Sequence, residues 1–300
     1  MTLEAPLVRP TPRTRLGALP TRWLLAASLA ALSTSACDDS EKRMVELSNQ
    51  GVEALESDDF TRAAEVFGKA EKIRPNDADV QYYLGVIALH NEDPKAALEH
   101  LAQSAKADPR RPDVHLSMAR ALVALKQPKE ALQPLQALFG IDPGHPGGHL
   151  LEARIALGAQ DREGADKALR AAIAGDAGFA PAYLLLSQLY SDVGAFDAAK
   201  DVLQEGLRFQ PDAVELQEAL GLAWLDLGRA DRAKVVLAKA CKHPRAKYAV
   251  NLNYAAALLQ LGEKDDAMQA LRAFILQSQG QGPDPAVPVA AKMLLKLRGR

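Results

Sequence analysis

The strongest constraint on this chain is a period of 34 residues. Pro75, Pro109, Pro143 and Pro211 lie at intervals of 34, 34 and 68. Frames opened at 44, 78, 112, 146, 180, 214 and 248 keep that spacing without an insertion. Position 8 of the frame then holds Gly51, Gly85, Ala119, Ala153, Ser187, Gly221 and Ala255. Position 20 holds Ala63, Ala97, Ala131, Ala165, Ala199, Ala233 and Ala267, and position 24 holds Phe67, Leu101, Leu135, Leu169, Leu203, Leu237 and Leu271. Small residues at 8 and 20 with a large apolar residue at 24 mark a structural repeat. One such unit cannot bury its own apolar face, so stability must come from stacking neighbours. Aromatic residues are only 5% of the chain, which suits close helix pairs built on Ala, Gly and Leu.

These residues resemble the tetratricopeptide repeat, a helix-turn-helix unit of 34 residues. The resemblance covers residues 44–281. Supporting residues are Phe60 and Phe196 at position 17, Ala70, Ala172 and Ala240 at 27, and Gly194, Gly228 and Gly262 at the inter-helix turn. The family's position-4 aromatic is met by Tyr183; elsewhere the chain has Leu47, Gln81, His115, His149, Gln217 and Asn251. The closing Pro is replaced at Ala177, Arg245 and Gln279. The resemblance implies an all-α, right-handed superhelical solenoid of seven repeats: 44–77, 78–111, 112–145, 146–179, 180–213, 214–247 and 248–281. A linker and C-terminal capping helix occupy 282–300.

Within a unit, positions 1–14 are expected to form the first helix. Pro94 and Pro128 fall at position 17, in the first turn of the second helix, where a missing N–H costs nothing. Pro134 falls at position 23, inside that helix, and is expected to kink or shift it. Residues 280–287 read as a break. Residues 288–298 read as a helix with Val289, Met293, Leu294 and Leu297 on one face, which caps the stack, docks on a partner or makes a homodimer.

In the family, positions 2, 5, 9, 12 and 13 line an inner groove. Here the resemblance places Tyr82, Leu116, Leu150 and Leu184 there at position 5, and Arg120, Arg154 and Gln188 at position 9. Glu218, with Asp192, Glu215 and Asp226, would make an acidic end. Such a surface suits a peptide or amphipathic helix laid in a groove. For the position-12 residues Leu55, Leu89, Val123, Leu157, Leu225 and Leu259, packing inside the stack is the competing reading. For Arg120 and Arg154 the choice lies between solvated charge and bidentate grip on a ligand carboxylate.

The first 36 residues read as an address. Arg9, Arg13, Arg15 and Arg22 precede an apolar run from Trp23 to Leu32, then Ser33-Thr34-Ser35-Ala36 and Cys37. A basic region, a short apolar run and a small-residue cleavage site make a secretory signal peptide. The run is too short for a membrane span, which needs about 20 residues. Ser35, Ala36 and Cys37 resemble the lipobox of bacterial lipoproteins, with Thr34 where Leu is usual. The resemblance implies cleavage before Cys37, its lipidation, and a charged tether over 37–43. Two or more acyl chains would anchor the protein stably. Asp38 and Asp39 leave inner against outer membrane open.

Signals for chemistry are weak. The chain has no Gly-rich phosphate loop and no Gly-x-Ser-x-Gly or His-Glu-x-x-His pattern. His115 and His149 share position 4 and read as packing residues; Cys241 reads as a small core residue. No cofactor or metal is expected. Removing residues 1–36, with four Arg and one Glu, takes the charge from -2 to -5 (36 − 4 = 32 basic, 38 − 1 = 37 acidic). No nucleic-acid partner is expected from that balance. The leading reading is a non-enzymatic adaptor, lipid-anchored and facing the periplasm, that binds other envelope proteins. Pilus or secretin assembly, outer-membrane protein assembly and cell-wall enzyme scaffolding remain open. The alternative is a soluble periplasmic chaperone.

Overall fold

The computed structural model describes residues 37–298 apart from 245 and 280–282, and the side chains at 37, 38 and 298 are also outside it. Residues 1–36, read above as a signal segment, lie outside the described residues. Among these residues there are fifteen helices and no strand. They divide into two compact units, with the boundary between residues 159 and 160.

In the first unit the helices are α1 (Cys37–Glu56), α2 (Phe60–Ile73), α3 (Ala78–His90), α4 (Pro94–Ala107), α5 (Pro112–Ala124), α6 (Leu132–Ile141) and α7 (Pro146–Gly158). In the second they are α8 (Arg162–Gly175), α9 (Ala180–Ser191), α10 (Phe196–Phe209), α11 (Val214–Asp226), α12 (Ala230–Cys241), α13 (Ala249–Gln260), α14 (Lys264–Ser278) and α15 (Ala286–Arg298). Within each unit consecutive helices pack in antiparallel pairs, and helices two apart also touch: α3 with α5, α5 with α7, α9 with α11, and α11 with α13. This is the packing of a tetratricopeptide-type solenoid.

The reason for the small residues is visible at Gly85. A Cβ there would lie 2.6 Å from Leu101 Cγ, and Gly221 meets Leu237 still more closely. The large residue at position 24 therefore fills the space that the small residue at position 8 vacates. All seven position-20 alanines, and all seven residues at position 24, are buried. Each buried Leu or Phe contributes about 1.5–3 kcal/mol.

Position 4 adds a hydrogen bond to its packing. Gln81 Nε2 donates to Pro75 O (2.7 Å), His115 Nε2 to Pro109 O (2.9 Å) and His149 Nε2 to Pro143 O (2.9 Å). Tyr183 Oη donates to Ala177 O (3.0 Å), and Gln217 Nε2 to Pro211 O (2.7 Å). In each case the side chain reaches back six residues to the carbonyl at the end of the preceding unit. That carbonyl follows a helix end, where backbone acceptors lack an intrahelical donor; Pro211 O accepts from Lys239 Nζ as well (3.1 Å). A carbonyl only accepts, so both imidazoles carry a proton on Nε2. The hydrogen bonds add to the packing role read for His115 and His149, and the His149 ring also stacks on Phe139 at 4.3 Å.

Pro134 acts by delaying a helix. α6 starts at Leu132 and is ten residues long. Before it, Leu132 N bonds Lys129 O and Gln133 N bonds Glu130 O, both i→i−3. The tighter turn places Pro134 in the first turn of α6, where no N–H is required.

Two segments differ from the sequence expectation. Residues 37–43 are helical and open α1, where a tether was expected; Glu41 there approaches Arg74 of α2 at 3.6 Å. The final helix begins at Ala286, two residues early, because Asp284 Oδ1 accepts from Ala286 N (2.7 Å). α15 closes the second unit by packing Ala290 and Met293 against Leu271 and Phe274. Among the described residues no helix is long and apolar enough to cross a membrane.

Candidate partner-binding face

The face to consider in the first unit is built by α3, α5 and α7. Tyr82, Leu116 and Leu150 recur at the 34-residue period, and Arg120 and Arg154 stand one helical turn further along α5 and α7. Residues four apart share a helix face. Tyr82 and Leu116 are buried, at 7% and 6% exposure, and make a floor. Leu150, Arg120 and Arg154 are half-buried above it.

Arg120 and Arg154 are the electrostatic feature of this face. Burial pushes the Arg120 guanidinium below its ordinary value; Tyr82 and the charge of Asp113 oppose that, and the charge of Arg154 adds to it. Burial alone lowers Arg154. Two cations thus repel across adjacent helices. Among the described residues neither forms a hydrogen bond or an ion pair. Other arginines differ: Arg170 pairs with Asp166 at 2.8 Å and Arg229 with Asp231 at 3.2 Å.

Beside the pair lies a cluster the sequence reading missed. The Arg111 guanidinium stacks over the Tyr82 ring at 4.1 Å and is bonded to Asp79. Burial, with Asp113 in support, pushes the Tyr82 hydroxyl up to about 12, against the pull of Arg111 and Arg120. Tyr82 therefore stays neutral and offers a ring face and a hydroxyl. The adjacent Tyr82-Tyr83 and the Arg closing the same frame were the available signal.

In the second unit the face is made by α9, α11 and α13. Leu184 is half-buried and Gln188 exposed on α9. Glu218 on α11 is buried at 3% exposure, so it is withheld from solvent and does not form an acidic surface. It accepts from Asn253 Nδ2 of α13 at 2.9 Å. Of the other acids, Glu215 and Asp192 are exposed and Asp226 half-buried. The position-12 residues Leu55 and Leu225 are buried, in favour of packing; Leu89, Val123, Leu157 and Leu259 are half-buried. Among the described residues no group of three or more His, Cys, Asp or Glu could hold a metal. The Cys241 thiol, pushed up to about 12 by burial and then by Glu218, is not a nucleophile at neutral pH.

Family profiles described as "Tetratricopeptide repeat" match residues 49–112, 88–155 and 153–290. The chain belongs to the tetratricopeptide repeat family. No curated protein sequence matches it significantly. Among solved structures it is similar to a tetratricopeptide repeat protein from Parabacteroides merdae, at 16% identity and TM-score 0.56, over 86% of this chain and 100% of that one. It is similar to PilW, described as a widely conserved type IV pilus biogenesis factor, at 15% identity and TM-score 0.58, over 69% and 96%. It is also similar to Pseudomonas aeruginosa PilF, at 16% identity and TM-score 0.57, over 72% and 96%. At these identities the shared property is the fold. The tetratricopeptide repeat is typically a scaffold for protein–protein interaction, and that coarse role follows for this chain.

Proposed function

We propose that the protein is a membrane-anchored adaptor of the bacterial cell envelope. It holds a partner protein against the inner helices of the first unit and performs capture, not catalysis. The observation that carries this reading is the Arg120–Arg154 pair, half-buried and without a hydrogen bond or ion pair among the described residues. Two desolvated guanidiniums side by side are costly unless an anion joins them. A carboxylate of the partner would supply it, with bidentate hydrogen bonds. Leu150 would flank that carboxylate with apolar surface, and the buried Tyr82 would support the site from below.

The sequence supports the anchoring half: an apolar run, small residues and then Cys37. Anchoring concentrates the face near the membrane, so a modest site acts through effective concentration. PilW carries a pilus role in its description, which fits pilus or secretin assembly as one job for such an adaptor.

Two experiments test these halves separately. A photoreactive residue at Leu150 captures the partner in cells. Arg120→Ala with Arg154→Ala should then weaken its binding at least tenfold, since loss of one member of a buried interfacial charge pair costs about 2–5 kcal/mol. Unchanged affinity removes the arginine pair from the proposal. Metabolic lipid labelling of wild type against Cys37→Ser reads the anchor. No acyl chain on wild type would favour the soluble periplasmic chaperone.

A further inference from the structure

The second unit contains a group that packing alone does not explain. Glu218 is an ionisable side chain at 3% exposure on α11, facing α13. It accepts a hydrogen bond from a neutral amide, Asn253 Nδ2, at 2.9 Å. Asn253 is itself fully buried, 35 residues further along the chain. The pair therefore ties two successive inner helices through a carboxyl with no ion pair among the described residues. A buried carboxylate in that setting is expensive, while a carboxylic acid is not.

We propose that the buried Glu218 carboxyl makes the α11–α13 contact proton-sensitive: tight while Glu218 is a neutral acid, and loosened when it ionises, because the desolvation cost of the carboxylate outweighs its strengthened hydrogen bond from Asn253. The surroundings agree. Burial pushes the Glu218 carboxyl up to about 7; the Asn253 hydrogen bond and the Lys247 charge pull it down, and Glu215 pushes it further up. The groups around it are Lys247 from the turn before α13, Asn253 from α13, Glu215 one turn earlier on α11, and the neutral thiol of Cys241 at the end of α12. Among the described residues, α9 and α10 bring no charge that acts on it.

The sign follows from linkage. The folded value is raised, so the stability supplied by the neutral acid is fully present below the ordinary carboxylate range. It is lost as pH rises through about 7. The inner layer of the second unit is thus tight in acid and slack in mildly alkaline surroundings. This holds whether or not the first unit binds a carboxylate.

The test is thermal unfolding of the full chain, wild type against Glu218→Gln, between pH 5 and 8.5. Glutamine keeps the shape and the hydrogen bond from Asn253 but cannot ionise. The expected result is a similar Tm at pH 5 and a Gln variant that melts several degrees higher at pH 8.5. A gap that does not change with pH overturns this proton sensitivity. A second readout does not depend on the variant's stability. The carboxyl carbon of Glu218, assigned in a ¹³C-Glu spectrum by its loss in the variant, should titrate with a midpoint near 7. A midpoint in the ordinary carboxylate range overturns the proposal.

Discussion

The two units solve one local problem in two ways. In all seven helix pairs the residue at position 15, between the helices, has a positive φ. In the first unit these are Asp58 (57°), Glu92 (60°) and Lys126 (60°). Gln160 (63°) opens the second unit in the same manner, and thereafter the position is Gly194, Gly228 and Gly262, at 74°, 70° and 79°. A side chain held in the left-handed region costs about 1–2 kcal/mol, and Gly avoids that cost. The residue that follows differs in step. Asp59, Asp93 and Asp161 each accept a backbone N–H as N-caps, whereas Ala195, Arg229 and Glu263 make no side-chain cap; the Lys126 turn is the exception, strained and followed by Gln127 without a side-chain cap on α6. A cap contributes about 1 kcal/mol. Strain with a cap and relaxation without one come out close to equal. The repeat therefore fixes the turn geometry and leaves its chemistry free.

The largest expected effect is one that the units share. Gly85→Ala and Gly221→Ala each drive a Cβ into the Leu opposite. Each should cost about 1–3 kcal/mol. Chemical denaturation with hydrogen exchange, which reads each unit separately, checks this. A cost in one unit only would break the equivalence of their packing.

Next come the caps. Asp93→Ala should lower stability of the first unit by about 1 kcal/mol. Ala195→Asp should raise that of the second by up to the same amount, because Asp then stands where Asp93 stands. No gain at Ala195 would show that a Gly turn and an Asp cap are not interchangeable parts.

The smallest effects concern the turn itself. Glu92→Gly should gain and Gly228→Ala should lose a little under about 1 kcal/mol, after allowing for the entropy Gly gives up on folding. No atom lies within 4 Å of a Cβ at Gly228, so its loss would measure backbone strain alone. Equal and opposite shifts in urea midpoint are the expected outcome.

Much of the fold was legible because a repeat writes its packing locally. The residues at 8, 20 and 24 announced the helix pairs. Gly194, Gly228 and Gly262 announced the left-handed turn, while Asp58, Glu92, Lys126 and Gln160 hid it, since those residue types do not signal positive φ. The hydrogen bond at position 4 was missed for a related reason. Gln, His and Tyr look unlike one another, yet each puts a donor at the same carbonyl. The candidate site was legible in part. Arg120 and Arg154 do lie on adjacent inner helices, but Tyr82, Leu116 and Glu218, also read as groove-lining, are buried.

The sequence by itself determined the period, the helix-turn-helix unit and the small-against-large register. Those properties depend on residues within one unit, so 34 positions suffice to state them. Only the tertiary structure decided which inner-face residues meet solvent, which arginines lack an ion pair among the described residues, and that Glu218 is buried beside Asn253. Burial and ionisation depend on what the next helix places opposite, and that partner is a whole repeat away along the chain.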